Sequence, residues 1–151
     1  MRISPVKKIS GSVKVPGDKS ISHRAVILGS LARGETEIKN LSPCEDCMRT
    51  VTAFRNMGIE FSFLKESVTI KGKGLSGLSE PHDVLDLGNS GTSIRLLAGV
   101  LSAQSFFSVL TGDQYLLKRP MDRVIIPLAQ MGAKITGRAN NRFAPLAIKG
   151  G

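Results

Sequence analysis

One pattern is written twice along this chain. A sequence that repeats itself at this length folds as two copies of one supersecondary unit that share a core. The first copy opens on an alternating stretch, Ser12-Val13-Lys14-Val15, predicted as a strand, followed by a Gly-containing turn and a helix from about Ser20 to Leu31. A polar strand, 36–41, and a second helix from about Asp46 to Met57 follow, with Gly58 as the helix stop. Two short strands, 59–63 and 67–71, close the unit. The second copy keeps the order: strand 83–87, turn Gly88-Asn89-Ser90-Gly91, helix from about Thr92 to Leu101, and strand 106–110. A helix from about Asp122 to Met131 then stops at Gly132, before strands 133–136 and 146–149.

The anchors agree. Ser20-x-x-x-Arg24 matches Gly91-x-x-x-Arg95, Met57-Gly58 matches Met131-Gly132, and Ile70-Lys71-Gly72 matches Ile148-Lys149-Gly150. The unit is therefore βαβαββ, used at about 13–78 and about 79–151, and the fold class is α/β, helices covering sheets. No linker rich in Ser or Pro divides the copies, so they are expected to pack together. The helix that starts at Thr92 carries Arg95 as its only charge and is expected to be buried nearly all round. The start of a buried helix presents unpaired N–H groups and a positive dipole end.

Charge then narrows the partner. With 21 Lys and Arg against 12 Asp and Glu, the net charge is +9. Nucleic-acid modules interleave basic residues with exposed aromatics for stacking. Here six Phe and one Tyr lie mostly within apolar stretches and the basic residues are scattered, which favours small anions over nucleic acid. The apolar runs are too short to cross a bilayer, and Met1-Arg2-Ile3-Ser4-Pro5 lacks the apolar core of a signal peptide. A cytoplasmic protein is the expectation. Cys44 and Cys47 form a C-x-x-C pair, but Glu45 and Asp46 between them argue for raised thiol pKa values and ordinary structural cysteines.

Three constellations carry chemistry. In Pro16-Gly17-Asp18-Lys19-Ser20-Ile21-Ser22-His23-Arg24, Lys19 and Ser20 arrive at a helix start and Arg24 shares a face with Ser20. Ammonium, hydroxyl and guanidinium could converge there on one phosphate or carboxylate; an N-cap Ser between solvated cations is the plainer reading. In Leu87-Gly88-Asn89-Ser90-Gly91-Thr92-Ser93-Ile94-Arg95, two glycines let backbone approach a ligand at a helix start, or simply make a tight turn beside a buried Arg. It is neither a Walker loop nor a dinucleotide fingerprint. In Thr111-Gly112-Asp113 and Lys118-Arg119-Pro120-Met121-Asp122, two cations precede a helix started by Pro120; they could reach the same anion or only flank a cap. No triad and no metal cluster emerges, His23 reads as structural, and His82 as a loop residue. Anion holders abound while an acid or base for catalysis is lacking.

Together these strings resemble the enolpyruvyl transferases of the 5-enolpyruvylshikimate-3-phosphate synthase type. Pro16 to Ala25, Leu87 to Thr92 with Arg95, and Leu110-Thr111-Gly112-Asp113 leading to Arg119-Pro120-Met121 occur in the right order on matching repeat positions. The resemblance implies two domains, each of three βαβαββ units with helices on short mixed sheets, closing over phosphoenolpyruvate and shikimate-3-phosphate. It implies transfer of the enolpyruvyl group to the 5-hydroxyl with release of phosphate, and neither metal nor organic cofactor. Lys19 would touch both substrates, Ser20 and Arg24 shikimate-3-phosphate, and Gly91 and Arg119 phosphoenolpyruvate, with Asn89, Thr92 and Arg95 in support. Residues 13–151 would make about two units of one domain, while 1–12 would belong with the other. The proton-transfer residues would come from sequence outside this chain, so these residues alone are expected to be inactive. The complete protein is expected to be monomeric, with self-association of the isolated stretch plausible through exposed strand edges. Because Gly91 has no side chain to crowd an inhibitor, glyphosate sensitivity is implied for the complete enzyme, although Leu96 stands where many members carry Pro.

Two alternatives remain at this point. A related UDP-N-acetylglucosamine enolpyruvyl transferase would be expected to carry a catalytic thiol in the loop 113–119, which has no Cys. A non-catalytic anion- or nucleic-acid-binding module would show steeply salt-dependent oligonucleotide binding.

Overall fold

The computed structural model describes residues 4, 5 and 7–151; residues 1–3 and 6 of the expected N-terminal stretch 1–12 lie outside the described residues. The first unit contains α1 (Lys19–Leu31), β1 (Arg33–Lys39), α2 (Glu45–Asn56), β2 (Glu60–Leu64) and β3 (Ser67–Lys73). The second contains β4 (Leu85–Asp86), α3 (Gly91–Ser102), β5 (Phe107–Thr111), α4 (Asp122–Gln130), β6 (Lys134–Gly137) and β7 (Phe143–Lys149), with a 3-10 turn at Leu116–Lys118. The sheets run β1-β3-β2 and β4-β5-β7-β6, and the antiparallel order β1-β3-β2 is repeated by β5-β7-β6. The repeat read from the letters is thus a repeat of topology.

Local chemistry sets the ends of these elements. Asp18 caps α1 by accepting the Ile21 N–H at 2.7 Å, so Ser20, read as a possible cap, lies inside the first turn. Ser90 caps α3, accepting from the Ser93 N–H at 3.2 Å. Glu45 and Asp46 open α2 and Arg55 closes it, each matching the helix dipole. Gly58 and Gly132, at φ 86° and 98°, end the region of α2 and α4 in the left-handed conformation expected of helix stops. Met121, rather than Pro120, occupies the cap position of α4; it is buried and donates its N–H to the Arg142 carbonyl at 2.8 Å.

Each sheet turns alternate residues inward. Ile70 of β3, and Ala144, Leu146 and Ile148 of β7, join Phe54, Met57, Leu97 and Leu101 in one core that spans both units. Two expectations fail. Ser12–Val15 forms no strand among the described residues, and Val13 and Val15 are 86% and 67% exposed. Its alternation puts both valines on one face, but both stay exposed, and among the described residues the segment's polar contacts are the Asn40 amide to the Val15 carbonyl at 3.3 Å and a Lys14–Glu66 ion pair at 2.6 Å. The second unit does form the corresponding strand, because β4 finds β5 as a parallel partner, Leu85 opposite Leu110. Nor is α3 buried all round: Ile94, Leu97, Ala98 and Leu101 are inside, while Leu96 is exposed, as are Ile21 and Leu28 on α1.

Candidate functional site

Anion-holding groups collect where α1, α2 and α3 begin. Lys19, the first residue of α1, is half exposed and forms an ion pair with Asp46 at the start of α2. The Asp46 carboxylate, hydrogen-bonded to the ammonium, raises the Lys19 pKa against the opposing effect of burial, so Lys19 carries its full charge at neutral pH. Ser20 and Arg24 extend from the same helix and are exposed, free to meet a solute.

The second group surrounds the turn from Gly88 to Gly91. Arg95 donates from Nη1 to the Gly91 carbonyl at 3.0 Å and from Nη2 to the Pro120 carbonyl at 3.1 Å. One guanidinium thereby ties the first turn of α3 to the segment that carries Arg119. Arg119 in turn donates from Nη2 to Asn89 Oδ1 at 2.5 Å. A Cβ on Gly91 would stand 2.8 Å from Arg119 Nη1 and 2.9 Å from Arg95 Nη1, so the bare glycine is what lets two guanidinium groups close on the helix start. The positive dipole end of α3 and two guanidinium groups lie side by side here, an arrangement suited to a carboxylate or phosphate. Thr92 sits half-buried in the same first turn. Lys118 stays exposed at the end of the 3-10 turn.

A buried polar chain joins the two groups. His23 Nδ1 meets Thr50 Oγ1 at 2.8 Å, Thr50 Oγ1 meets Ser93 Oγ at 2.7 Å, and Ser93 Oγ meets Ser90 Oγ at 2.6 Å. Thr50 and Ser93 both reach the Asp46 carbonyl at 3.4 Å. Asp46 therefore holds Lys19 with its side chain and the chain between α1 and α3 with its backbone. Arg49, one turn further along α2, bonds Glu45 at 3.1 Å and Asp86 at 3.6 Å, and its Nε would lie 3.0 Å from a Cβ on Gly88. Gly88 has φ 55°, and the guanidinium packs on the face that a side chain would occupy.

Sequence reading brought forward Lys19, Gly91, Asn89, Arg95 and Arg119, and these are the residues the structure builds around the two helix starts. It missed Asp46, Arg49, Thr50 and Ser93. Asp46 had a signal, since it opens the helix that corresponds to the one opened by Asp122. Thr50 and Ser93 had none, because a hydroxyl on an apolar helix face has no characteristic spacing.

His23 is fully buried, as a structural histidine should be, and its Nε2 has no partner among the described residues. Burial lowers its pKa below the ordinary 6.5, with the Asp46 charge opposing and the Lys19 charge adding to the shift. The unfolded chain therefore binds a proton that the folded one refuses. The stability gained by keeping His23 neutral is present above the unfolded pKa of 6.5 and is lost as pH falls through the folded pKa. Thermal midpoints measured from about pH 7.5 down to about pH 5 are expected to fall more steeply for the native chain than for His23→Gln. Parallel curves would assign the acid sensitivity to another group.

A family model for EPSP synthase (3-phosphoshikimate 1-carboxyvinyltransferase) matches residues 3–151. The chain is 57% identical over 148 residues to a 3-phosphoshikimate 1-carboxyvinyltransferase of Citrifermentans bemidjiense, covering 98% of this chain and 34% of that relative. It is 56% identical over 152 residues to the enzyme of the same name from Pelotomaculum thermopropionicum, covering 100% of this chain and 35% of the relative. Among solved structures, EPSP synthase from Acinetobacter baumannii superposes with a TM-score of 0.90 at 47% identity, over 93% of this chain and 32% of that one. The chain thus spans about a third of the length of the relatives it matches. No helix among the described residues is long and apolar enough to cross a membrane. Family model, sequence identity and fold agree, and the chain belongs to the EPSP synthase family.

Proposed function

We propose that this chain supplies the anion-binding half of an enolpyruvyl transferase that moves the enolpyruvyl group of phosphoenolpyruvate to the 5-hydroxyl of shikimate-3-phosphate and releases phosphate. The observation that carries the reading is the closing of Arg95 and Arg119 on the bare Gly91, with Lys19 tied into the same network through Asp46. Two polyanions placed side by side repel each other, and a field of fixed cations and helix starts offsets that repulsion. Holding both in attack geometry also removes much of the entropic barrier.

In this reading Gly91 and Arg119 meet phosphoenolpyruvate, Ser20 and Arg24 meet shikimate-3-phosphate, and Lys19 stands between them. Its ammonium has three donors and spends one on Asp46, which leaves two for substrate oxygens. Asn89, Thr92 and Arg95 keep the turn in shape. Residues 13–151 are part of one domain, and the exposed Ile21, Leu28 and Leu96 are faces that the rest of that domain would cover. The acid and base belong to the part of the relatives' length that this chain does not span, so the chain by itself releases no phosphate.

The test is a titration of the chain with shikimate-3-phosphate, read by amide shifts. Shifts confined to Lys19, Ser20, Arg24 and Asn89 are expected, weakened about tenfold by Arg24→Ala, the loss of one charge-assisted contact. Equal response to an oligonucleotide, falling steeply with salt, would favour a nucleic-acid module and count against the proposal.

A further inference from the structure

The two units differ at one repeated position. The connector between β1 and α2 runs over 40–44, whereas that between β5 and α4 runs over 112–121 and folds into the 3-10 turn at Leu116–Lys118. That turn packs on β7 beside the 138–142 loop, where Arg138 Nη2 donates to the Leu117 carbonyl at 2.7 Å, and it buries Leu116 completely. With Ile70 matched to Ile148, Val68 corresponds to Leu146, and the Lys65–Glu66 turn of the β2–β3 hairpin to the 138–142 loop. The first unit has no 3-10 turn to place there. It has instead an open groove of about 750 Å³, within the range of small-ligand sites.

Val15 and Pro16 line the groove from the N-terminal segment, Leu41 from the connector, Met48 from α2, and Phe63 and Val68 from the hairpin. Where the second unit buries a leucine of its own chain, the first leaves apolar surface in water, including the exposed Val15 and Phe63. The rim is cationic. Lys14 is paired with Glu66 at 2.6 Å, while Lys65 has no ion-pair partner among the described residues. One free cation beside an apolar groove complements one negative charge on an apolar body rather than a polyanion. None of the anion-holding groups Lys19, Ser20, Arg24, Gly91 and Arg119 lines this groove.

We propose that the groove binds medium-chain aliphatic carboxylates, with the hydrocarbon between Val15 and Phe63 and the carboxylate on the Lys65 ammonium. The second unit gives the reason for an aliphatic body, because the same place in the repeat is filled there by leucine. A ligand seated against Pro16 also restrains the segment that leads into Lys19 and α1, without taking any group of the anion site.

The site is tested by titrating the chain with sodium decanoate below its micelle concentration and following amide shifts. Saturable shifts are expected at Val15, Leu41, Lys65 and Val68, with none at Asn89 or Arg119. Lys65→Glu, a change on an exposed turn, is expected to weaken binding about fivefold, as an attraction is exchanged for a repulsion. Met48→Trp, which fills the groove, should abolish the shifts while amides elsewhere keep their native positions. Shifts of equal size at the exposed Ile126 and Met131 would mean adsorption to any apolar surface. Groove shifts that follow chain concentration without decanoate would mean that a second copy fills the groove. Either result, no response at the groove, or unchanged affinity in Lys65→Glu would overturn the proposal.

Discussion

Gly72→Ala is expected to destabilise the chain by about 3 kcal/mol, the upper end for an added core methyl, because nothing near the new atom can rotate away. A Cβ at Gly72 would fall well inside 3.0 Å of the carbonyl oxygens of Gly29 and Ala32, at the end of α1. Those obstacles are backbone, and moving them means moving α1 off β3. Gly150→Ala should behave alike. Its Cβ would meet the carbonyls of Gln104 and Leu101, at and just beyond the end of α3. The two glycines are the repeat anchors of Ile70-Lys71-Gly72 and Ile148-Lys149-Gly150, so the periodicity marks one packing requirement met twice. Gly99→Ala is the control, since a Cβ there has nothing within 4 Å and alanine is the better helix former by about 1 kcal/mol. Urea midpoints for the three variants measure these effects. A loss below about 0.5 kcal/mol at Gly72 would show that the strand can slide away from the helix.

The same comparison shows what sequence could reveal. Helix stops at Gly58 and Gly132, the hairpin order of both sheets, and the cations around Gly91 were readable because each depends on residues close in sequence or on spacing that repeats. The failures share a cause. Ser12–Val15 alternates like a strand, but alternation says nothing about whether a partner strand and a covering layer exist, and here Val13 is left 86% exposed. Glu45 and Asp46 were read as raising the thiols, and Cys47 is pushed up to about 12, but by burial and by its neighbour Cys44 rather than by either acid. The left-handed run at Ala139, Asn140 and Asn141 was carried by an Asn-Asn pair that tolerates positive φ, a turn signal that went unread.

The polar chain between α1 and α3 was the least legible part of the site, and Thr50→Val tests it. Valine keeps the shape of threonine and removes only Oγ1, so any loss reports hydrogen bonding rather than packing. Without Oγ1, His23 Nδ1 loses its 2.8 Å partner, and Nε2 already has none among the described residues. A fully buried imidazole with both nitrogens unpaired is expected to cost about 2–3 kcal/mol. Ser93 is protected, because it keeps Ser90 at 2.6 Å and the Asp46 carbonyl at 3.4 Å. The penalty should therefore belong to His23 alone. His23→Leu combined with Thr50→Val should be markedly less destabilised than the sum of the two single changes, by roughly 1–2 kcal/mol in a double-mutant cycle. Additive losses would mean that the two residues act independently and that α1 and α3 are linked through Asp46, which holds Lys19 by its side chain and Ser93 by its carbonyl. A positive coupling would identify the buried hydroxyls as the means by which two helix starts, one from each repeat, are held in register.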